Sequence, residues 1–393
     1  MLTHDPALQR LIEQVRAAHE ARTPLEIRGG GSKAFYGGAP CGELLDLRPL
    51  AGISSHEPSE LVVTVRAGTP LAELEVALAE HGQCLPFEPP RFAGRSGAGQ
   101  GAVENVGTVG GMVAAGLAGP ARASVGSVRD YVLGVTMLNG RGELLSFGGQ
   151  VIKNVAGYDV SRVLAGSMGV LGVICEVSLK VLAKPQACRT LLFEASQQDA
   201  LTRLNRWAGQ PLPLNASSWQ QGQLHLRLAG AQAAVQAACQ KLGGSELAPA
   251  DADAGWDGLR DQRQRFFDLD DAALASGECL WRLSVPSTTP ELRLPASISP
   301  GEWLLEWGGA QRWWRGHAET QSMRDLAASV DGHATLYRAA NKSAGTFTPL
   351  SAPLLRIHRQ MKQAFDPAGI FNPGRLYADL GSPTSDEPPC KPS

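Results

Sequence analysis

No window of the 393-residue sequence holds eighteen consecutive apolar residues, so no membrane-spanning helix is expected. The opening stretch MLTHDPALQR lacks a basic segment followed by an apolar one, which predicts no secretory signal. Neither sign of charge dominates. Lys and Arg number 36 against 38 Asp and Glu, for a net charge of −2, so the chain carries no footprint for nucleic acid or an anionic membrane surface. The seven cysteines (Cys41, Cys84, Cys175, Cys188, Cys239, Cys279 and Cys390) are odd in number and form no C-x-x-C. That spacing argues against a disulfide framework, a zinc site or an iron–sulfur cluster in this chain. Cys175 alternates with polar residues in a strand pattern and reads as a small core hydrophobe. The eight histidines include no H-x-x-x-H and no pair, so no metal site is expected. No repeat of fixed period is present. These absences together describe a soluble, cytoplasmic protein.

What the sequence has in excess is glycine. Forty-five glycines and 26 prolines exceed ordinary usage (roughly 7% and 5%) without reaching the ~25–30% combined that marks a low-complexity chain. The glycines are uneven, crowding before residue 173. Asp5-Pro6 caps and opens a helix whose Leu8, Leu11, Ile12 and Val15 share a face. A strand over Leu25–Arg28 runs into Gly29-Gly30-Gly31-Ser32-Lys33, and further strands are expected at 43–47 and 61–66. Gly68-Thr69-Pro70 opens a second helix, which Gly82 closes. Residues 93–106 are glycine-rich without apolar period and read as a surface loop. A hairpin is expected with Asn139-Gly140 as its turn. Val173, Cys175, Val177, Leu179 and Val181 mark the clearest strand, with Glu176, Ser178 and Lys180 on its other face.

After Pro185 glycine thins and Gln, Ala, Arg and Trp rise. The composition divides the chain at 1–185, 186–345, a C-terminal segment 346–378 and a Pro/Ser-rich tail 379–393 expected to be disordered. Both large parts are α+β. Six of the eight tryptophans lie at or beyond Trp256, as core aromatics or as a subunit interface. A last helix places Leu354, His358, Met361 and Phe365 on one face.

Four glycine-bearing motifs carry the chemistry. In Arg28-Gly29-Gly30-Gly31-Ser32-Lys33, three glycines after a strand let backbone N–H groups converge on an anion, with Ser32 adding a hydroxyl and Lys33 a charge. The alternative is a flexible turn, and the run fits neither G-x-x-x-x-G-K-[ST] nor G-x-G-x-x-G. Thr108-Val109-Gly110-Gly111-Met112-Val113-Ala114-Ala115-Gly116 is a small-residue helix that admits a flat ring system or a close neighbouring backbone, with Thr108 as a possible cap facing an anion. The remaining two, GSVRDYVLG from Gly126 and GSMGVLGVI from Gly166, are loops entering strands.

In this order and spacing the four motifs resemble the FAD-binding domain shared by vanillyl-alcohol oxidase and p-cresol methylhydroxylase, over residues 20–183. Together with LPFEPP, GGQVIKNVAGYDVSRVLAGSMGVLG and DPAGIFNPGRLY, the chain resembles more narrowly the FAD-binding subunits of bacterial glycolate oxidases. The resemblance implies an FAD-binding domain of two α+β subdomains followed by a cap-like α+β domain. It implies pyrophosphate contacts from Arg28, Gly29, Gly30, Gly31, Ser32 and Lys33, and ring and ribityl contacts from Thr108, Gly110, Gly111 and Ala115. It adds Gly126 and Val128, adenine contacts from the backbone of Val173 and Ile174, and Asn372 and Arg375 from a C-terminal segment that either returns to the cofactor or merely ends the last packed element. The activity implied is oxidation of glycolate to glyoxylate, with electrons passing to a second flavoprotein subunit and an iron–sulfur subunit. Membrane contact would come only through those partners, at the inner membrane.

The sequence departs from the family in two ways. Some relatives attach the flavin through a His in the glycine-rich loop; none is present here, so FAD is expected to be non-covalent. Relatives that oxidise 2-hydroxy acids also carry a late His/Glu segment that binds a metal, and this chain has no such cluster. The catalytic candidates that remain are Lys153 and Tyr158 in KNVAGYD, and His333 beside a glycine turn. Asp159 reads instead as a helix cap. Two readings compete with the enzymatic one: a subunit that holds FAD only as a structural or electron-relay element, and a free-standing 2-hydroxy-acid dehydrogenase.

Overall fold

The computed structural model describes residues 2–92, 107–149 and 159–380. The expected loop at 93–106, the segment carrying Lys153 and Tyr158, and the tail from 381 lie outside the described residues. Helix α1 (Pro6–Ala21) begins where Asp5 accepts a hydrogen bond from the Ala7 amide at 2.8 Å, and buries Leu8 and Val15 fully. Strand β1 (Leu25–Arg28) pairs in parallel with β2 (Glu43–Asp46), the glycine-rich loop forming part of their connection. Strands β3 (Ile53–Glu57) and β4 (Val62–Arg66) follow, then α2 (Leu71–Glu80) and the short β5 (Gln83–Cys84). Next come α3 (Val109–Ala115), the single turns α4 (Arg122–Val125) and α5 (Val128–Tyr131), the hairpin β6 (Val132–Leu138) and β7 (Leu144–Gly148), β8 (Val173–Lys180) and β9 (Leu182–Ala183). Five of these strands make one antiparallel sheet in the order β3-β4-β8-β6-β7.

Strand β8 is the centre of that sheet for the reason its alternation gives. Val173, Cys175, Val177 and Leu179 have no exposed surface, while Glu176 and Lys180 stay partly open. Burial pushes the Cys175 thiol up to about 12, as suits a core residue. The β6–β7 turn departs from expectation. The strands separate at Leu138 and Leu144, so the connection runs over residues 139–143 rather than two residues. Asn139 organises it by accepting from the amides of Arg141 and Glu143. Gly140 has no positive φ; it is small because a Cβ there would stand 2.5 Å from the Asp366 carboxylate.

From residue 187 the chain builds a second sheet. Its elements are β10 (Ala187–Glu194), α6 (Gln197–Ala208), β11 (Leu214–Gln220), β12 (Gln223–Gly230), α7 (Gln232–Leu242), β13 (Ser245–Glu246), α8 (Pro249–Arg260), α9 (Asp271–Ala275), β14 (Cys279–Ser284), β15 (Glu302–Glu306), β16 (Gln311–Gly316), α10 (Thr320–Ala328) and β17 (His333–Arg338). The eight strands lie in the order β13-β10-β12-β11-β15-β16-β14-β17. One face buries Trp281, Trp314 and Leu336 with Met323 of α10, and Leu224, Leu226 and Leu228 with Trp207 of α6. The other face meets the first sheet's loops through Trp313, Tyr337 and Leu304, packed with Tyr36, Ala115 and Met168. The clustered tryptophans are therefore mostly core, each large side chain contributing about 1.5–3 kcal/mol by burial.

Helix α11 (Ala352–Phe365) closes the chain on the first half. Its predicted face is only partly covered, since Leu354 remains 49% exposed while Met361 and Phe365 touch the core. The buried residue is a lysine. Lys362 Nζ donates to Asp366 Oδ2 at 2.6 Å and to the carbonyls of Val170 and Phe371. Asp366 in turn accepts from the amides of Ile370 and Phe371. Burial pulls Lys362 below its usual range, against the pull of Asp366. Removing one partner strands the other charge in the interior, so Asp366→Ala should destabilise the chain by about 3–5 kcal/mol. A loss under about 1 kcal/mol in chemical denaturation would show that the pair is not buried as described.

Candidate functional site

A groove opens where β1 ends. It encloses about 870 Å³ counted out to its mouth, and its walls come from residues 26–34, 108–115 and 168–174 with Asn372 and Arg375. Two close approaches set its shape. A Cβ on Gly29 would lie 2.2 Å from Thr108 Oγ1, so the first glycine run can meet α3 only as glycine. On the far side of α3, Gly110 lies so close to Ala67 that a Cβ would stand 2.6 Å from the alanine methyl. Thr108 caps α3, its hydroxyl accepting from the Gly111 amide at 3.3 Å.

One run of donors in the groove is unused. Among the described residues, the amides of Gly30, Gly31, Ser32 and Lys33 donate to no backbone or side-chain acceptor. Lys33 Nζ has no carboxylate within ion-pair distance among the described residues; it donates to Ser32 Oγ at 3.3 Å and lies 5.6 Å from the centre of the Phe92 ring. Burial alone pulls Lys33 down to about 8. A cation held half-buried without an acid, beside a run of free N–H groups on glycine backbone, is the donor set a phosphate or pyrophosphate requires.

The loop is held from behind by the C-terminal segment. Asn372 accepts from the Ile27 amide at 2.8 Å and donates to the Met168 carbonyl at 2.7 Å. Arg375 donates to the carbonyls of Ala34 at 3.0 Å and Tyr36 at 2.7 Å, and to those of Lys33 and Gly38. Burial pulls its guanidinium down to about 10. Both residues line the groove, yet their polar atoms are spent on protein backbone. They position the loop.

Of the residues singled out in the sequence, Gly126, Val128 and Val173 lie outside the groove; the other proposed cofactor contacts line it. Val128 and Val173 are fully buried in the core, and Gly126 ends α4 against Asp130. Arg28 lines the groove but pairs with Glu26 at 2.7 Å. The groove also includes Ala67, Ala114 and Met168, which the sequence reading passed over; their one signal was small size or a place inside a motif already noted. His333 is not in it. It opens the edge strand β17 opposite Ser284, and burial together with the Arg282 charge lowers its pKa. Asp159 accepts from the Ser161 hydroxyl and the Arg162 amide at a single 3-10 turn, Ser161–Leu164, rather than at a full helix. Among the described residues no group of three His, Cys, Asp or Glu stands together as a metal site, and no helix is long and apolar enough to cross a membrane.

Truncating Arg375 to Ala orphans several carbonyls under the loop at once. The cost should be about 2–4 kcal/mol, with faster proteolysis near residues 33–38, and Arg375→Lys should recover only part of it. An Arg375→Ala chain with unchanged stability and proteolysis would remove the strap from this account.

Comparison with known proteins gives the family of the chain. Residues 8–148 match the family described as FAD binding domain, and residues 341–376 match that described as FAD linked oxidases, C-terminal domain. The chain is 46% identical over 372 residues to glycolate oxidase subunit GlcE of Escherichia coli (strain K12), covering 95% of this chain and 98% of that one. It is 29% identical over 183 residues to glycolate oxidase subunit GlcD of Bacillus subtilis (strain 168), covering 46% of this chain and 36% of the other. In fold it is similar to alkyldihydroxyacetonephosphate synthase, with a TM-score of 0.63 at 15% identity over 94% of this chain and 76% of that one. Two of the groove's three walls and its C-terminal strap lie within the two matched segments, the wall at residues 168–174 falling between them, and the chain belongs to the GlcE family of FAD-dependent oxidoreductase subunits.

Proposed function

We propose that this chain is the FAD-carrying subunit of a complex that oxidises glycolate, or a closely similar small 2-hydroxy acid, to the 2-oxo acid, with electrons leaving through partner subunits. The observation that carries the reading is the donor set at the groove mouth: four amides without an acceptor and a lysine without an acid among the described residues. In this reading the pyrophosphate meets Gly29–Lys33, the ring and ribityl chain run along Thr108, Gly110, Gly111 and Ala115, and Ile174 lies toward the adenine. Bound there, FAD supplies a two-electron acceptor that no side chain provides. Lys33 balances the pyrophosphate charge, and α3 lets a flat ring approach because its groove-facing residues are small. Arg375 and Asn372 hold the loop so that its amides converge before any ligand arrives, which lowers the ordering cost of binding. The division at 185/186 and 345/346 belongs to the same reading, as a flavin half, a cap half and a returning strap. The partners are a GlcD-like flavoprotein and an iron–sulfur subunit, through which any membrane contact is made.

Three outcomes test it. Because the glycine-rich loop lacks histidine, acid precipitation should release the flavin completely; absorbance that stays with the pellet would overturn non-covalent binding. Lys33→Met should weaken FAD by about ten- to a hundredfold, the range of one charge-assisted hydrogen bond. The pH sign is fixed. The flavin-free chain loses the Lys33 proton as pH rises through about 8, so FAD binding should weaken above that pH. The chain's own stability should rise between about 8 and 10.5, where only the unfolded lysine still binds the proton. Both trends should vanish in Lys33→Met. Glycolate added anaerobically should bleach the flavin of the isolated chain if it turns over substrate itself. Flavin that bleaches only after the partner flavoprotein is added would instead make this subunit an electron relay, and a chain that takes up no FAD on reconstitution would contradict both.

A further inference from the structure

The sheet face turned toward the flavin half carries a second polar site. Cross-strand pairing puts Arg282 of β14 beside Trp313 of β16, and Glu306 of β15 beside Gln311 of the same strand β16. Strands β14 and β15 flank β16, so the backbones of Arg282 and Glu306 stand two strands across and two residues along, roughly 12 Å apart, with Trp313 between them. Trp313 Nε1 and Gln311 Nε2 both donate to Glu306 Oε2, at 2.6 and 2.8 Å. Glu306 Oε1 receives no hydrogen bond among the described residues, and it is not closed off from the surface. Glu306 is only 5% exposed, and burial pushes it up to about 7 despite its two donors.

Arg282 is placed with equal definition. One N–H donates to Tyr36 Oη at 2.9 Å, and the guanidinium lies 5.5, 5.6 and 6.0 Å from the ring centres of Tyr36, Tyr337 and Trp313. No carboxylate lies within ion-pair distance of it among the described residues, though its charge is felt at Glu306. The neighbouring charges are spoken for: Arg227 pairs with Glu88 at 2.6 Å, and the other Glu88 oxygen accepts from the Ala121 amide. Arg122 lies near enough to feel the Arg282 charge but is stacked on the Trp307 ring at 4.5 Å. Among the described residues Arg282 keeps unused N–H groups and Glu306 Oε1 has no donor, on the same face.

We propose that Arg282 and Glu306 form the seat of a small 2-hydroxy monocarboxylate, Arg282 taking the ligand's carboxylate and Glu306 Oε1 accepting from its 2-hydroxyl. The assignment rests on the 2-hydroxy-acid reading above and adds the residues that recognise the acid. It needs no metal and no histidine. The planar guanidinium suits a carboxylate geometrically, and its aromatic surroundings hold it in one orientation. The hydroxyl contact supplies specificity, since an acid without the hydroxyl leaves Oε1 unpaired.

Calorimetric titration of the FAD-loaded chain under air-saturated and anaerobic conditions, with glycolate and with acetate, separates the two roles. The wild-type chain should bind glycolate about tenfold more tightly than acetate, the worth of one hydrogen bond to a charged group. Glu306→Gln retains a carbonyl for Trp313 and Gln311, so it should erase that preference while leaving acetate binding within about twofold. Arg282→Gln should weaken both acids by at least about tenfold with FAD content unchanged. Should Arg282→Gln fail to fold, Arg282→Lys should still bind both acids more weakly. Unchanged binding in the arginine variants, or equal loss of both acids in Glu306→Gln, would overturn the site while leaving the 2-hydroxy-acid reading standing. A wild-type chain that takes up FAD but binds neither acid would overturn the site and leave the electron-relay role, whereas a chain that takes up no FAD would overturn the reading beneath it.

Discussion

Asn372 spends both halves of its amide on segments remote in sequence, accepting from Ile27 at the end of β1 and donating to Met168 beyond α3. Phe371 bridges Leu25 directly before it, and Arg375 fastens the carbonyls of the loop that follows the glycines. The turn that does this is itself fixed by the buried Lys362–Asp366 pair. The groove therefore depends on a strap from the far end of the chain. Without it the glycine run would have the conformational freedom that makes glycine costly to order. With it, the loop is tied to the C-terminal segment before any ligand arrives.

The same constraint explains the arrangement of chemistry. Gly29 packs against Thr108 and Gly110 against Ala67, and the donors left free at the groove mouth among the described residues are N–H groups and one lysine. Among the described residues Lys33 has no acid partner, and a desolvated cation without an acid is stabilised most by an anionic ligand. Across the interface, the sheet of the second half offers a different vocabulary: aromatic rings, an arginine and a carboxylate on one face. A redox cofactor and a small acid need those two kinds of wall.

The glycine runs were legible because close approach and left-handed backbone leave a direct mark on residue choice. The β8 alternation was legible because a strand buried on one face must repeat every second residue. Asn139-Gly140 misled as a two-residue turn because Gly140 is small for a tertiary reason, the Asp366 carboxylate against it. Asn372 and Arg375 were correctly drawn to the groove, but their bonding to backbone has no local signature. Lys362, Arg282 and Glu306 carry no local motif, and the sequence reading did not single them out. Their roles arise only from which strands become neighbours, a long-range fact that spacing along the chain does not encode.

The central claim is that the amides of residues 30–33, held by the strap, receive the FAD pyrophosphate. Hydrogen–deuterium exchange on the FAD-free and FAD-loaded chain reads those amides directly. The account predicts marked protection on loading across residues 30–33 and along 108–115, with little change in β10–β13. Protection confined to other segments, with residues 30–33 exchanging equally fast in both forms, would contradict it.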